Sequence, residues 1–197
     1  ATVEEGRQLF LKNCSTCHGL NAEGTTDGPS LIGVGAASVD FQVGTGRMPA
    51  RQPGAQVEKK PVEFSEEEIA AMAAYVASLG PGPAIPSESQ YDYTDADVTL
   101  GGTIYRTNCS MCHNYAGSGG ALTQGKYAPH LRDVTPKHIY EAMLTGPQSM
   151  PVFDDKNMTP QDKRDIIAYL RTTAEEPNPG GAALGKIGPV SEGAVGW

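Results

Sequence analysis

Two stretches of this chain are written almost alike. "NCSTCHGL" spans residues 13–20 and "NCSMCHNY" spans residues 108–115. Each holds Cys-x-x-Cys-His, and Cys14, Cys17, Cys109 and Cys112 are all the cysteines the 197 residues contain. The fold must therefore present two thiols and an imidazole on one turn of backbone, and do so twice. A disulfide framework would scatter its cysteines along a small chain. A zinc ribbon would use both pairs as four thiolates, but its pairs lie roughly 15–20 residues apart. Here 91 residues lie between Cys17 and Cys109. A thioredoxin-type pair calls for a βαβ context and has no need of the adjoining histidine.

Covalent haem attachment accounts for every element of the motif. Two thiols bond the vinyl groups and the following histidine becomes the proximal iron ligand. Shifting the chain by 95 residues superposes the surroundings as well. Gly6 falls on Gly101, Leu9 on Ile104, Phe10 on Tyr105 and Asn13 on Asn108. A glycine followed three and four residues later by an apolar pair reads as a short helix that ends at the cysteines. The glycine lets another backbone come close.

The correspondence continues beyond the boxes. "GPSLIGVG" (28–35) matches "APHLRDVT" (128–135), with Pro29 over Pro129 and Leu31 over Leu131. "GTGRMP" (44–49) matches "LTGPQSMP" (144–151), with Met48 over Met150. Two helices with readable starts follow. One has Ser65 as N-cap, Glu68 completing a capping box and Gly80 as a stop. The other has Thr159 as N-cap and Pro160 at its first position. Tyr75 and Tyr169 occupy equivalent places in them. The chain is thus a tandem duplication: domain one over 1–80, a Pro-rich and acidic linker over 81–97, domain two over 98–176, and a Gly-rich tail over 177–197.

A net charge of −8 argues against a nucleic-acid partner, because no basic stripe is available to meet phosphates. The longest helix-like apolar run, "IAAMAAYVASL" (69–79), is about half of the ~20 residues a spanning helix needs. A soluble fragment without its own signal peptide or membrane span is expected.

In order, each copy offers a helix, a Cys-x-x-Cys-His box, a Pro-Leu loop, a Met-Pro loop and a second helix. This order resembles the class I cytochrome c fold over nearly the whole chain. The resemblance implies an all-α protein of two tandem domains, each carrying one covalent haem c. It implies His18 and Met48 as ligands of the first iron, His113 and Met150 as ligands of the second, and Pro29 and Pro129 as carbonyls orienting the two histidines. A thioether suits Fe(II), and His/Met ligation raises the reduction potential. Iron with both axial positions filled moves electrons and has no place for substrate, so no catalytic site is expected.

Competing side chains have plainer readings. Met72 lies on the apolar stripe Ile69–Met72–Val76–Leu79, Met143 on "IYEAML", and Met111 inside its own haem box. Met158 is the rival of Met150, but it lacks the following proline and directly precedes the N-cap Thr159. His130 and His138 read as surface or hydrogen-bonding residues. Arg47 would either meet a haem propionate or be solvated.

The wording "VDFQVGTGRMPA", "TQGKYAPHL", "AMLTGPQSMPVF" and "DKRDIIAYL" resembles, more narrowly, the dihaem cytochrome c subunit of the actinobacterial cytochrome bcc complex. The resemblance implies electron transfer from the Rieske iron–sulfur protein of a menaquinol-oxidising complex to the copper centre of cytochrome c oxidase. The Rieske and cytochrome b subunits and the copper-bearing oxidase subunit would be its partners, on the extracytoplasmic face of the cell membrane. In that family a tail such as "NPGGAALGKIGPVSEGAVGW" leads to a membrane helix, with an interfacial tryptophan like Trp197 at its entrance. A membrane anchor after this chain is therefore expected. The alternatives are a freely diffusing dihaem cytochrome and the haem subunit of another oxidoreductase. A catalytic dihaem enzyme would need an exchangeable or differently ligated iron, and two Met-Pro loops with no spare cysteine argue against one.

Overall fold

The computed structural model describes residues 2–176, together with Gly193 and Ala194. The expected tail and its lead into an anchor lie outside the described residues. Among the described residues no helix is long and apolar enough to cross a membrane. Two compact units emerge. The first is Ala1–Pro86 with Glu141–Asp154, and the second is Ser87–Tyr140 with Asp155 onward.

In the first unit, α1 (Val3–Asn13) starts from a capping box. Thr2 Oγ1 accepts from the Glu5 N–H, and the Glu5 carboxylate accepts from the Thr2 N–H. The single turn α2 (Ser15–His18) follows, then α3 (Ala36–Gly44) and α4 (Glu66–Ser78). Ser65 and Glu68 form the expected capping box of α4. α1 packs on α4 and α3 on α4. The crossing of α1 and α4 is tight because Gly6 has no side chain: a Cβ there would stand 1.9 Å from the Ala71 carbonyl oxygen. Next to it the Phe10 and Tyr75 rings meet at 5.3 Å between centroids. Val39, Val43, Ile69, Met72 and Val76 close the core around them. Met72 is core, as its stripe requires.

In the second unit, α5 (Glu88–Tyr91) packs on a later helix, α9. It is followed by α6 (Val98–Asn108) and the turn α7 (Ser110–His113). Asp97 caps α6 by accepting from the Leu100 N–H. A two-residue hairpin, β1 (Gly120–Ala121) with β2 (Tyr127–Ala128), is the strand content among the described residues. α8 (Pro136–Thr145) begins in this unit, while its last turn and the Met150 loop group with the first unit. α9 (Pro160–Glu175) starts at Thr159 and Pro160, with Asp162 completing a capping box. The α6–α9 crossing repeats the first one: a Cβ on Gly101 would stand 1.9 Å from the Asp165 oxygen. Tyr105 and Tyr169 meet at 5.2 Å. Buried Lys163 ion-pairs with Asp155 and lies 5.3 Å from the Tyr140 ring centroid.

The Pro-rich stretch is ordered along both units. The Ala37 N–H donates to the Pro83 carbonyl, and Ile85 packs on the first core. Further on, the Arg164 guanidinium donates to the Ser89 carbonyl, and the Asp97 N–H donates to the Asp165 carboxylate. Gly35 makes the first contact feasible, since a Cβ there would be 2.4 Å from the Pro83 nitrogen.

Candidate haem sites

Each box is built the same way. α1 ends at Asn13, Cys14 leaves helical geometry with φ −127°, and α2 restarts at Ser15. The His18 N–H returns to the Cys14 carbonyl at 3.0 Å, which closes one turn around the two thiols and the imidazole. In the second box Cys109 has φ −120°, and the His113 N–H reaches the Cys109 carbonyl at 2.9 Å. Both histidines are buried, at 8% and 9% exposure, while all four cysteines are free thiols and half-buried.

The prolines stand where orientation of the imidazoles requires them. His18 Nδ1 lies 2.7 Å from the Pro29 carbonyl oxygen, and His113 Nδ1 lies 3.0 Å from that of Pro129. A carbonyl only accepts, so in each box Nδ1 is a donor and Nε2 is the nitrogen left for another partner. Burial lowers the pKa of His113, with the Pro129 bond opposing, so the ring is held neutral as a metal ligand must be. Burial pushes the Cys14 thiol up to about 11 and the Cys109 thiol up to about 12, with the neighbouring cysteine adding to each. A raised thiol pKa makes them poor disulfide-exchange nucleophiles. Two thiols and an imidazole whose orientation is fixed through Nδ1 fit covalent haem c.

Met48 packs at the margin of the first core. Its N–H donates to the Gln42 carbonyl at 2.9 Å, and its bond to Pro49 is cis. Below it the Lys60 N–H meets the Gly46 carbonyl at 3.2 Å. Gly46 has φ +75°, and a Cβ there would be 1.8 Å from the Lys60 oxygen. Arg47 stacks on Phe41, 4.9 Å from the ring centroid, and donates to Thr45 Oγ1 at 2.7 Å.

Met150 is partly buried on the 141–154 segment, which groups with the first unit. Met158 is 4% exposed in the second unit, and Met143 is 2% exposed in its helix. Met111 is 92% exposed and turned to solvent. His130 is exposed, 3.8 Å from the Asp133 carboxylate, and the His138 N–H donates to Thr135 Oγ1.

The two boxes differ in one respect that the sequence showed only as Phe10 against Tyr105. The Tyr105 hydroxyl donates to the Asn114 carbonyl and the Tyr169 hydroxyl to the Tyr115 carbonyl, both at 2.6 Å. Two tyrosines thus fasten the backbone just past the second box. Phe10 has no hydroxyl with which to do so in the first.

Residues 3–80 match the cytochrome c family, and residues 96–170 match the family described as cytochrome C oxidase, cbb3-type, subunit III. Among curated proteins, the whole chain is similar to the cytochrome bc1 complex cytochrome c subunit of Corynebacterium efficiens, at 46% identity over 72% of that protein. It is similar to the protein of the same name from Mycobacterium leprae, at 47% identity over 70% of it. A third, from Corynebacterium diphtheriae, is 45% identical over 75% of its length.

Proposed function

This chain belongs to the family of cytochrome bc1 complex cytochrome c subunits, and we propose that it relays electrons in series through two covalent haems. The donor is a Rieske iron–sulfur protein beside a cytochrome b subunit. The acceptor is the copper-bearing subunit of cytochrome c oxidase. The relay works on the extracytoplasmic face of the cell membrane, within one respiratory assembly.

One observation carries the reading because it is made twice. Each Cys-x-x-Cys-His turn has its imidazole bonded through Nδ1 to a proline carbonyl, at 2.7 Å and 3.0 Å. When bound, haem c supplies one-electron exchange at iron. The remaining work belongs to the chain. Cys14 and Cys17, and Cys109 and Cys112, hold the two groups covalently. Pro29 and Pro129 fix the tautomer and rotation of His18 and His113, which raises ligand basicity. Met48 would hold the first iron from a loop tied by its own N–H to the Gln42 carbonyl and by the Lys60 N–H to the Gly46 carbonyl. Met150 would hold the second iron, as its place in the repeat indicates. A histidine and a methionine on each iron would leave no open position for substrate, which suits conduction of electrons and not catalysis.

The test is haem content and ligation of the purified protein. Acid–acetone extraction should leave the colour with the chain, and iron analysis should give two irons per chain and no zinc. Met48→Ala and Met150→Ala each abolish one thioether–iron absorption in the oxidised near-infrared and lower one reduction potential. Met158→Ala leaves both signals in place. Extractable haem or bound zinc would overturn the cofactor reading, and a signal lost with Met158→Ala but kept with Met150→Ala would move the second ligand.

A further inference from the structure

We propose that Gln148 is a positioning residue for Met150, acting through a side-chain clamp on the backbone of Val57. The inference rests on the reading of Met150 as an iron ligand. Gln148 Nε2 donates to the Val57 carbonyl at 3.2 Å, and the Val57 N–H donates to Gln148 Oε1 at 3.1 Å. One amide side chain thus satisfies both backbone groups of one residue, as a neighbouring strand would. All of this lies within the first unit.

The loop that carries Met150 is shaped so that its tip depends on such a tie. Its base is closed by the Phe153 N–H on the Met143 carbonyl at 2.7 Å. Its tip is a turn in which the Met150 N–H bonds to the Pro147 carbonyl at 3.0 Å. Gln148 sits inside that turn with φ +58°, a conformation that side-chain-bearing residues rarely adopt. Such a residue persists where its surroundings over-determine it. The two Val57 bonds supply that determination two residues before Met150. The other end of the clamp is also fixed. Val57 lies three residues before Lys60, whose N–H binds Gly46 in the loop that holds Met48. The tie therefore runs from the Met150 turn to a segment already anchored, and not to a free loop.

Two substitutions separate the amide from the backbone. Gln148→Asn keeps an amide and tolerates positive φ better than glutamine, but is one methylene too short to reach Val57. Gln148→Gly removes the amide and relaxes the turn. Both ease the backbone, so a loss in either reports the missing bridge. The haem-loaded protein is oxidised and mixed with imidazole, whose entry at iron reads the rate at which methionine leaves. Two neutral hydrogen bonds in partial competition with water correspond to about a tenfold change. In both variants imidazole should enter at one of the two irons about tenfold faster than in the parent, with that iron's near-infrared thioether signal weakened. The Met48 signal and its exchange rate should stay as in the parent.

Met150→Ala identifies the signal concerned. If Met150→Ala abolishes one signal while Gln148→Asn exchanges at the parental rate, the clamp does not position the ligand and the inference is wrong. If Met150→Ala leaves both signals, the ligand reading fails and the inference falls with it. Loss of both signals in Gln148→Asn would mean that the residue holds the whole unit, which also overturns a role specific to Met150.

Discussion

Gly101→Ala should lower the melting temperature of the second domain by more than ~10 °C, and Gly6→Ala should do the same to the first. A Cβ at Gly101 would meet the Asp165 carbonyl oxygen at 1.9 Å and its carbon at 2.2 Å. At Gly6 the corresponding atoms are those of Ala71, at 1.9 and 2.5 Å. These are backbone atoms inside helices, so relief requires the helices to part. Parting α6 from α9 separates Tyr105 from Tyr169 and pulls on both tyrosine hydroxyl bonds just past the second haem box. Overpacking costs about 1–3 kcal/mol where side chains can adjust, and more where they cannot. Against a total of ~5–15 kcal/mol, that is a large share. A fall in Tm of more than ~10 °C is expected for either variant of the haem-loaded protein. Gly54→Ala is the control, because a Cβ there meets nothing nearer than 3.6 Å, and its Tm should stay within about 2 °C of the parent. A Gly101→Ala protein that melts with the control would show that the crossing is looser than described.

Much of this architecture could be read directly because its signals are local. A helix start is encoded within four residues, and Ser65–Glu68 and Thr159–Pro160 form the caps their letters promise. The Gly6 and Gly101 crossings follow from the repeat and from the absence of a side chain. Thr2–Glu5 carries the same kind of capping-box signal at the very start of the chain.

α3 was hidden for a physical reason. It starts from Gly35, which offers no side-chain cap, and it buries Ala37, Val39, Phe41 and Val43. Burial at every second residue is the period of a strand, and a helix shows it only when covered on more than one side. The 81–97 stretch looked like a separator because composition records proline and acid. Composition does not record that Gly35 admits Pro83 or that Asp165 receives Asp97. The haem boxes and the duplicated methionine loops were plain at the level of motif. The proline roles came from family likeness, and both carbonyls do lie on the imidazoles. The Gln148–Val57 clamp joins residues 91 positions apart, and no pattern of spacing points to it.

The second large effect concerns the two proposed haems as one path. Two domains in one chain cost nothing in diffusion once the first electron has arrived, since tethering holds effective concentrations near mM for short linkers. Each haem is then an obligatory step if the donor delivers to one and the acceptor draws from the other. His18→Ala removes the imidazole that Pro29 orients, and His113→Ala removes the one that Pro129 orients. Each unit packs its own helix pair, α1 with α4 and α6 with α9.

The most direct measurement is oxygen uptake by membranes that carry the complex, given menaquinol and no added cytochrome c. The parent protein should sustain steady uptake, and His18→Ala and His113→Ala should each reduce it to a few per cent or less of the parental rate, roughly the loss of ~2 kcal/mol or more in a single obligatory step. Near-normal uptake with either single substitution would mean that the haems act in parallel or that one is structural, and it would contradict the serial relay.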